Sequence, residues 1–314
     1  MISVVAYTPQ RKSEWDAFVR RAKNGLFLFL RDYMDYHSDR FTDGSLMFYK
    51  EDRLLALLPA NLHGDVLASH GGLTFGGVLC DHAMTVTDML DVFAQITEHA
   101  RKRRLKSVLY KAIPYPFSRM PAQEDLYALF VMNARLIRRD VSSVIALNAR
   151  LDFAGIKRQS IAKAERSGLT VRESSDLESF MSILAYTLAR HSVKPVHTLA
   201  EIELLHSRFP DNMRLFAAFD AQATMLAGTL VHEYGRTAHT QYMANSEAGR
   251  KLAAQDLIID FLVNRFYPSR MDYFSFGIST EQEGRFLNAG LCAQKEMFGG
   301  RAVAHDCYSV DLPN

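Results

Sequence analysis

One arrangement of turns and apolar runs occurs twice along the chain, and it limits the fold more than any other feature. Residues 46–70, LMFYKEDRLLALLPANLHGDVLASH, read as three strands broken at Glu51-Asp52 and at His63-Gly64-Asp65. Residues 215–242, LFAAFDAQATMLAGTLVHEYGRTAHTQY, have the same rhythm, broken at Asp220-Ala221-Gln222 and at Tyr234-Gly235-Arg236. Leu54-Leu55-Ala56 lies over Met225-Leu226-Ala227, an offset of 171 residues. Helical segments precede each meander. A glycine-containing loop, a helix and a strand follow it: HGGLTFGG, TVTDMLDVFAQITEHARKRR and KSVLYKAIP in the first half, and SEAGRK, AQDLIIDFLVNRF and MDYFSFGI in the second. This order predicts an α+β fold in which a mainly antiparallel sheet is flanked by helices and the late strand opens beside the central one. With 314 residues the chain has room for two such domains, predicted at 1–145 and 146–314, their junction between Asp140 and Asp152.

Local signals place several helix starts. Thr85 with Asp88, Ser175 with Glu178, and Thr198 with Glu201 have capping-box spacing. Asp256, Asp260 and Asn264 form one polar stripe on an otherwise apolar helix, which must therefore be covered on most sides.

A net charge of +2 gives no case for binding long nucleic acid by charge alone. Cys80, Cys292 and Cys307 are odd in number and widely spaced, which suits reduced thiols better than a disulfide framework. The N-terminus lacks the pattern of a signal peptide, and runs such as GLFLFL are too short to span a bilayer, so a cytoplasmic location is expected. The 11 histidines show no metal-ligand spacing, and no metal is expected. His232 and His239 flank the turn at 234–236 so that a hairpin would set them face to face.

The stretch YMANSEAGRKLAAQDLIIDFL, residues 242–262, reads as a strand end, a loop with one glycine and two cations, and a helix. Such a junction aims free backbone N–H groups and a helix dipole at an anion. Neither a Walker A sequence nor a Rossmann G-x-G-x-x-G is present. Coenzyme A suits the junction: its pyrophosphate would meet the helix start, and its pantetheine amides would pair with a splayed strand. The candidate donor-binding residues are Tyr242, Met243, Ala244, Gly249, Arg250 and Lys251, the last two supplying charge. A solvated turn is the plain alternative.

Four pieces in order, AHTQYMANSEAGRKLAAQDLII, YFSFGIST, LNAGLCAQKEMFGG and AVAHDCYSVDL, together with IKRQSIAKAERSGLTVRES, resemble the FemABX-related branch of the GNAT acyl-CoA N-acyltransferases. In that branch a strand ending in F-G precedes a helix carrying F-K-x-x-F-G, and two GNAT-like domains stand in tandem. Two departures mark this chain as divergent. Ser275 replaces the usual Asp before Phe276-Gly277, and Gln294 replaces the aromatic before Lys295.

The resemblance implies direct attack of an amine on a thioester or ester carbonyl, without a covalent enzyme intermediate. The protein must remove a proton, hold the amine and stabilise an oxyanion. Lys295 is the candidate for the electrophilic role. Glu281 and His239 are candidates for the base, with a water chain or Glu283 as alternatives. Arg190, His191, Lys194 and His197 crowd one connection between helices and would hold an anionic acceptor, for example a nucleotide-linked sugar. Tyr33, Tyr36 and His37 could stack on a sugar. The expected activity is transfer from acyl-CoA, acetyl-CoA first among donors, to a small-molecule amine such as an amino sugar or other cell-envelope precursor. The first lobe, whose loop HGGLTFGG carries no cation, would serve as scaffold and part of the acceptor cleft. A patch of Lys157, Arg158, Lys163 and Arg166 keeps a Fem-type transfer from aminoacyl-tRNA as the alternative, and a non-catalytic GNAT-fold binding module is the third.

Overall fold

A computed structural model describes residues 1–190 and 193–312, which form two compact units. The first holds residues 1–140, 281–286 and 304–312. The second holds 141–280 and 287–303. The strands Arg135–Ala146 and Arg301–Asp311 therefore each begin in one unit and end in the other.

In the second unit the strands Thr170–Ser174, Met213–Phe219, Met225–Tyr234 and Thr237–Asn245 pair antiparallel in that order. Thr237–Asn245 then pairs parallel with Tyr273–Ile278, and residues 142–146 pair antiparallel on the far side of that strand. Helices Gly155–Arg166 and Ala254–Asp260 pack on each other and enclose a core of Ile161, Ala164, Leu257, Ile258, Phe274 and Phe298. Three of the seven residues of Ala254–Asp260 have polar or charged side chains, yet four are buried, as its narrow polar stripe predicts. A π-helix, Phe261–Phe266, continues it.

The first unit has an antiparallel sheet of Ile2–Ala6, Leu46–Lys50, Arg53–Leu58 and Leu79–Cys80. In a second row, Thr42–Asp43, Asn61–His63 and Val66–Ala68 pair in turn, and Val66–Ala68 runs parallel to Ser107–Lys111. Residues 307–311 close that row. Helix Val86–Lys102 covers the core with Met89, Val92, Phe93 and Ile96. In each unit, then, two parallel strands are joined through a loop and a helix, as the repeated plan predicts.

Two details differ from expectation. The third strand of the first meander is two short strands, because Gly64 takes a φ of +59° and turns the chain back after His63. Asp176, not Ser175, caps helix Leu177–Ala189, accepting from the Ser179 N–H at 2.9 Å. The Thr85 cap and the Thr198–Glu201 capping box form as their spacing predicts.

Candidate functional site

The strand Thr237–Asn245 carries the features that a binding crevice needs. Its pairing with Tyr273–Ile278 stops at His239↔Ser275, six residues before the strand ends. A bulge at Gln241, between the pairs Val231↔Thr240 and Leu230↔Tyr242, bends the strand just past that point. Backbone groups of alternate residues in a ladder point away from the paired neighbour, so the stretch 240–244 runs along an edge that Tyr273–Ile278 does not cover, while the N–H and C=O of Asn245 are taken up by Thr187 and Arg250. Thr240 Oγ1 and Asn245 Oδ1 on this strand, and Gln255 Oε1 on the following helix, are buried and accept or donate no hydrogen bond among the described residues. Buried polar atoms without partners cost free energy unless a ligand or water meets them. These residues suit the amides of a pantetheine arm.

The loop after the strand is more tightly built than its sequence suggests. Ser246 N–H bonds Leu226 O at 2.9 Å, and Ser246 Oγ accepts from Gly249 N–H at 3.0 Å, capping the short helix Glu247–Lys251. Gly249 is buried, and a Cβ there would stand 2.4 Å from Leu226 O. Arg250 donates to Asn245 O at 3.1 Å and lies over the Tyr186 ring, while Lys251 is exposed and pairs with Glu247 at 2.9 Å.

Lys295 and His239 meet at one residue, Gly277. Its φ is +74°, and the pairing of its strand breaks register between Ser275 and Ile278. Lys295 Nζ donates to the carbonyls of Gly277 and Ile278 at 2.9 and 2.6 Å. The lysine is 4% exposed, and burial lowers its pKa from the ordinary 10.5 to about 8. On the other side, a Cβ on Gly277 would lie 3.3 Å from His239 Cε1. His239 Nδ1 and Ser275 Oγ are 3.0 Å apart.

More imidazoles and phenols stand on the same strands. His232 pairs in register with His239, as the turn spacing predicts, and its Nδ1 is 3.1 Å from Tyr234 Oη. Burial, then the neighbouring His239 and His197, hold His232 well below its ordinary pKa. His197 Nδ1 lies 2.7 Å from Tyr242 Oη, so a residue read as acceptor-binding and one read as donor-binding touch. Lys194 is exposed, and His191 lies outside the described residues.

Glu281 and the aromatic candidates fall in the first unit, the basic patch in the second. Glu281 is exposed. Tyr33, Tyr36 and His37 form a ring cluster with centroid separations of 5.7 and 4.2 Å, and Phe27, Phe41 and His70 extend it. Of the basic patch, Lys157 is buried and bonded to both Asp256 oxygens at 3.0 and 3.1 Å, and Lys163 donates to Lys251 O at 2.8 Å. Among the described residues no group of three or more His, Cys, Asp or Glu side chains could hold a metal ion.

Sequence reasoning treated Ser275 as a departure and missed it as the partner of His239. The signal that could have found it was the pairing of two strands whose polar residues occur at the same relative position.

Residues 155–284 match the family model described as an acetyltransferase (GNAT) domain. That stretch includes the open strand, Ser275 and Gly277. Among solved structures the chain is similar to FemX, with 12% identity, a TM-score of 0.70, and coverage of 99% of this chain and 97% of that one. It is also similar to L-PGS from Bacillus licheniformis, at 13% identity, TM-score 0.66, and 98% and 93% coverage. A tandem GNAT protein from the clavulanic acid biosynthesis pathway gives 11% identity, TM-score 0.53, and 100% and 99% coverage. Identities this low speak of fold, and the fold is the GNAT-like α+β arrangement that the motifs implied. No curated protein sequence matches the chain significantly.

Proposed function

We propose that this chain, with its GNAT acetyltransferase domain at residues 155–284, is an N-acyltransferase that moves an acyl group from acyl-CoA to an amine. The observation that carries this reading is the uncovered edge of Thr237–Asn245, which opens at the same residue, His239, that shares Gly277 with Lys295. Pantetheine amides extend along residues 242–244, and Arg250 and Lys251 supply positive charge near the phosphates. Acetyl-CoA is the first donor to test. Lys295 acts on the carbonyl oxygen: an ammonium has three protons, and two are given to the strand carbonyls, so one remains to donate. The acceptor is an amino sugar or another amine-bearing envelope precursor, held by Lys194 and His197. Residues 1–145 serve as scaffold, residues 146–314 carry the donor site, and the protein works in the cytoplasm. No helix among the described residues is long and apolar enough to cross a membrane.

Titration calorimetry with acetyl-CoA, set beside footprinting of charged tRNA, tests the donor. Heat at micromolar acetyl-CoA without tRNA protection supports acyl-CoA. Protection of the tRNA without heat assigns the chain to aminoacyl transfer, against which the burial of Lys157 counts. Neither signal, or thiol release unchanged by Lys295→Ala, refutes the catalytic reading of the site.

A further inference from the structure

We infer that one end of the first unit, where helices Val86–Lys102 and Glu124–Val131 finish, is a docking surface for a membrane rich in anionic lipid. The inference goes beyond the transferase reading and does not depend on it.

The two helices pack against each other and lead into the same sheet. Each is followed by a residue in the left-handed region, Arg104 with φ +57° and Asn133 with φ +54°. The chain then turns into Ser107–Lys111 or Arg135–Ala146. Both strands begin where Arg301–Asp311 ends. Ser107 pairs with Asp311, Leu312 N–H bonds Lys106 O at 2.8 Å, and Arg135 donates to both Asp311 oxygens at 3.1 Å. The last turns of the two helices therefore lie together at one end of the unit.

That end carries an apolar and a cationic feature at once. On Glu124–Val131, Asp125, Ala128 and Leu129 face the core, which turns Tyr127, Phe130 and Val131 outward. Phe130 is 77% exposed, so little of its ring packs on the unit. Leu136, at the start of the next strand, is exposed as well. Beside these side chains runs an unbroken row of exposed cations, Arg101 to Arg104. Lys102 pairs with Glu98 at 3.3 Å, but Arg101, Arg103 and Arg104 have no acidic partner among the described residues. The helix dipole favours cations in the last turn, yet Arg103 and Arg104 lie past the last helical residue. The acids placed at this end are taken, Asp65 by Lys106 at 2.6 Å and Asp311 by Arg135.

Charge complementarity sets the sign of the partner. Guanidinium groups without acids attract an anionic surface and suit phosphate oxygens. The apolar side chains decide between a nucleic acid and a bilayer. Stacked bases could take the rings of Tyr127 and Phe130 but offer nothing to Val131 and Leu136. The boundary between headgroups and acyl chains accepts all four, with the arginines at the phosphates.

The test is sedimentation of the full chain with vesicles of phosphatidylcholine alone, or of equal parts phosphatidylcholine and phosphatidylglycerol. The chain should pellet with the mixed vesicles at about 0.1 M salt and stay in solution with phosphatidylcholine. It should be released at about 1 M salt, where the Debye length falls to about 3 Å. Changing Arg101, Arg103 and Arg104 together to Gln should weaken partitioning about 100-fold, and Phe130→Ser about 10-fold. All four side chains are exposed, so Tm should hold in both variants. A wild-type chain that ignores the mixed vesicles overturns the inference, and that result needs no variant to fold. Binding unchanged by the arginine variant or by Phe130→Ser overturns it too. If the vesicles stay bare while tRNA is protected, or while the chain forms a dimer that Phe130→Ser dissolves, the surface belongs to nucleic acid or to a second copy, and the inference falls.

Discussion

Replacing Gly249 by alanine sets two opposing effects against each other at the start of the donor loop. Gly249 sits inside the helix Glu247–Lys251 and is not among the residues with positive φ, so alanine suits its backbone. Helix propensity alone would then favour alanine by about 1 kcal/mol. Packing acts the other way. The new Cβ would stand 2.3 Å from Asn245 Oδ1 and 2.4 Å from Leu226 O, where real Cβ contacts begin near 3.0 Å. Asn245 can rotate. Leu226 O cannot, because it is strand backbone and already accepts Ser246 N–H at 2.9 Å. The short helix must move by roughly half an ångström or lose that bond, and overpacking of this kind costs about 1–3 kcal/mol. Together with the strained bond, the clash outweighs the propensity gain, leaving a net loss of about 2 kcal/mol. At about 2–4 °C per kcal/mol, Tm should fall by about 4–8 °C in scanning calorimetry. Gly290→Ala is the control: its nearest neighbour, Asn288 Oδ1, is 3.8 Å away, so Tm should hold or rise. A Gly249→Ala protein as stable as the wild type would refute the claim that this glycine is kept for its packing against Leu226.

Other outcomes follow from buried charge. Lys157→Met strands Asp256 and should cost about 3–5 kcal/mol in urea unfolding, with Asp256→Leu added to it recovering most of the loss. Lys111 and Lys295 both titrate near 8 when folded instead of 10.5, because burial disfavours their charge. The unfolded chain binds more protons between those values, so stability should rise as pH climbs from about 8 to 10.5, by up to about 1.4 kcal/mol per pH unit for each group. Urea midpoints at pH 7.5 and 9.5 check this, and Lys295→Met should flatten the rise. At the acid end, burial holds His70 near 3 and His305 near 4, against 6.5 unfolded. Stability should therefore be complete above pH 6.5 and fall as the pH drops toward the folded values, and His305→Leu should lessen the loss seen between pH 7 and pH 5.

Much of the architecture could be read from local pattern. Turn residues at 51–52 and 234–236, the Thr85 and Thr198 caps, and the narrow polar stripe at Asp256, Asp260 and Asn264 each specify their own neighbourhood, and short-range backbone chemistry honours them. The meander repeated 171 residues apart was visible for the same reason, since strand and turn periodicities need no distant partner. The face-to-face pair His232 and His239 followed from counting outward from one turn.

Three things lay beyond that reach, and each depends on groups far apart in sequence. The role of Gly249 depends on Leu226 O, which reaches it only after a strand, a turn and a second strand have folded back. Lys157, read as part of a basic patch, is buried against Asp256, which arrives opposite it from 99 residues away. Lys295 and His239 share Gly277 because a parallel pair brings residue 239 beside residue 275, and parallel pairing requires a long crossover whose register no local signal sets. Period and turn chemistry act between neighbours, so they settle which elements form. Which side chains meet at a site is settled by the packing of strands and helices, through contacts that exist only once the chain has closed on itself.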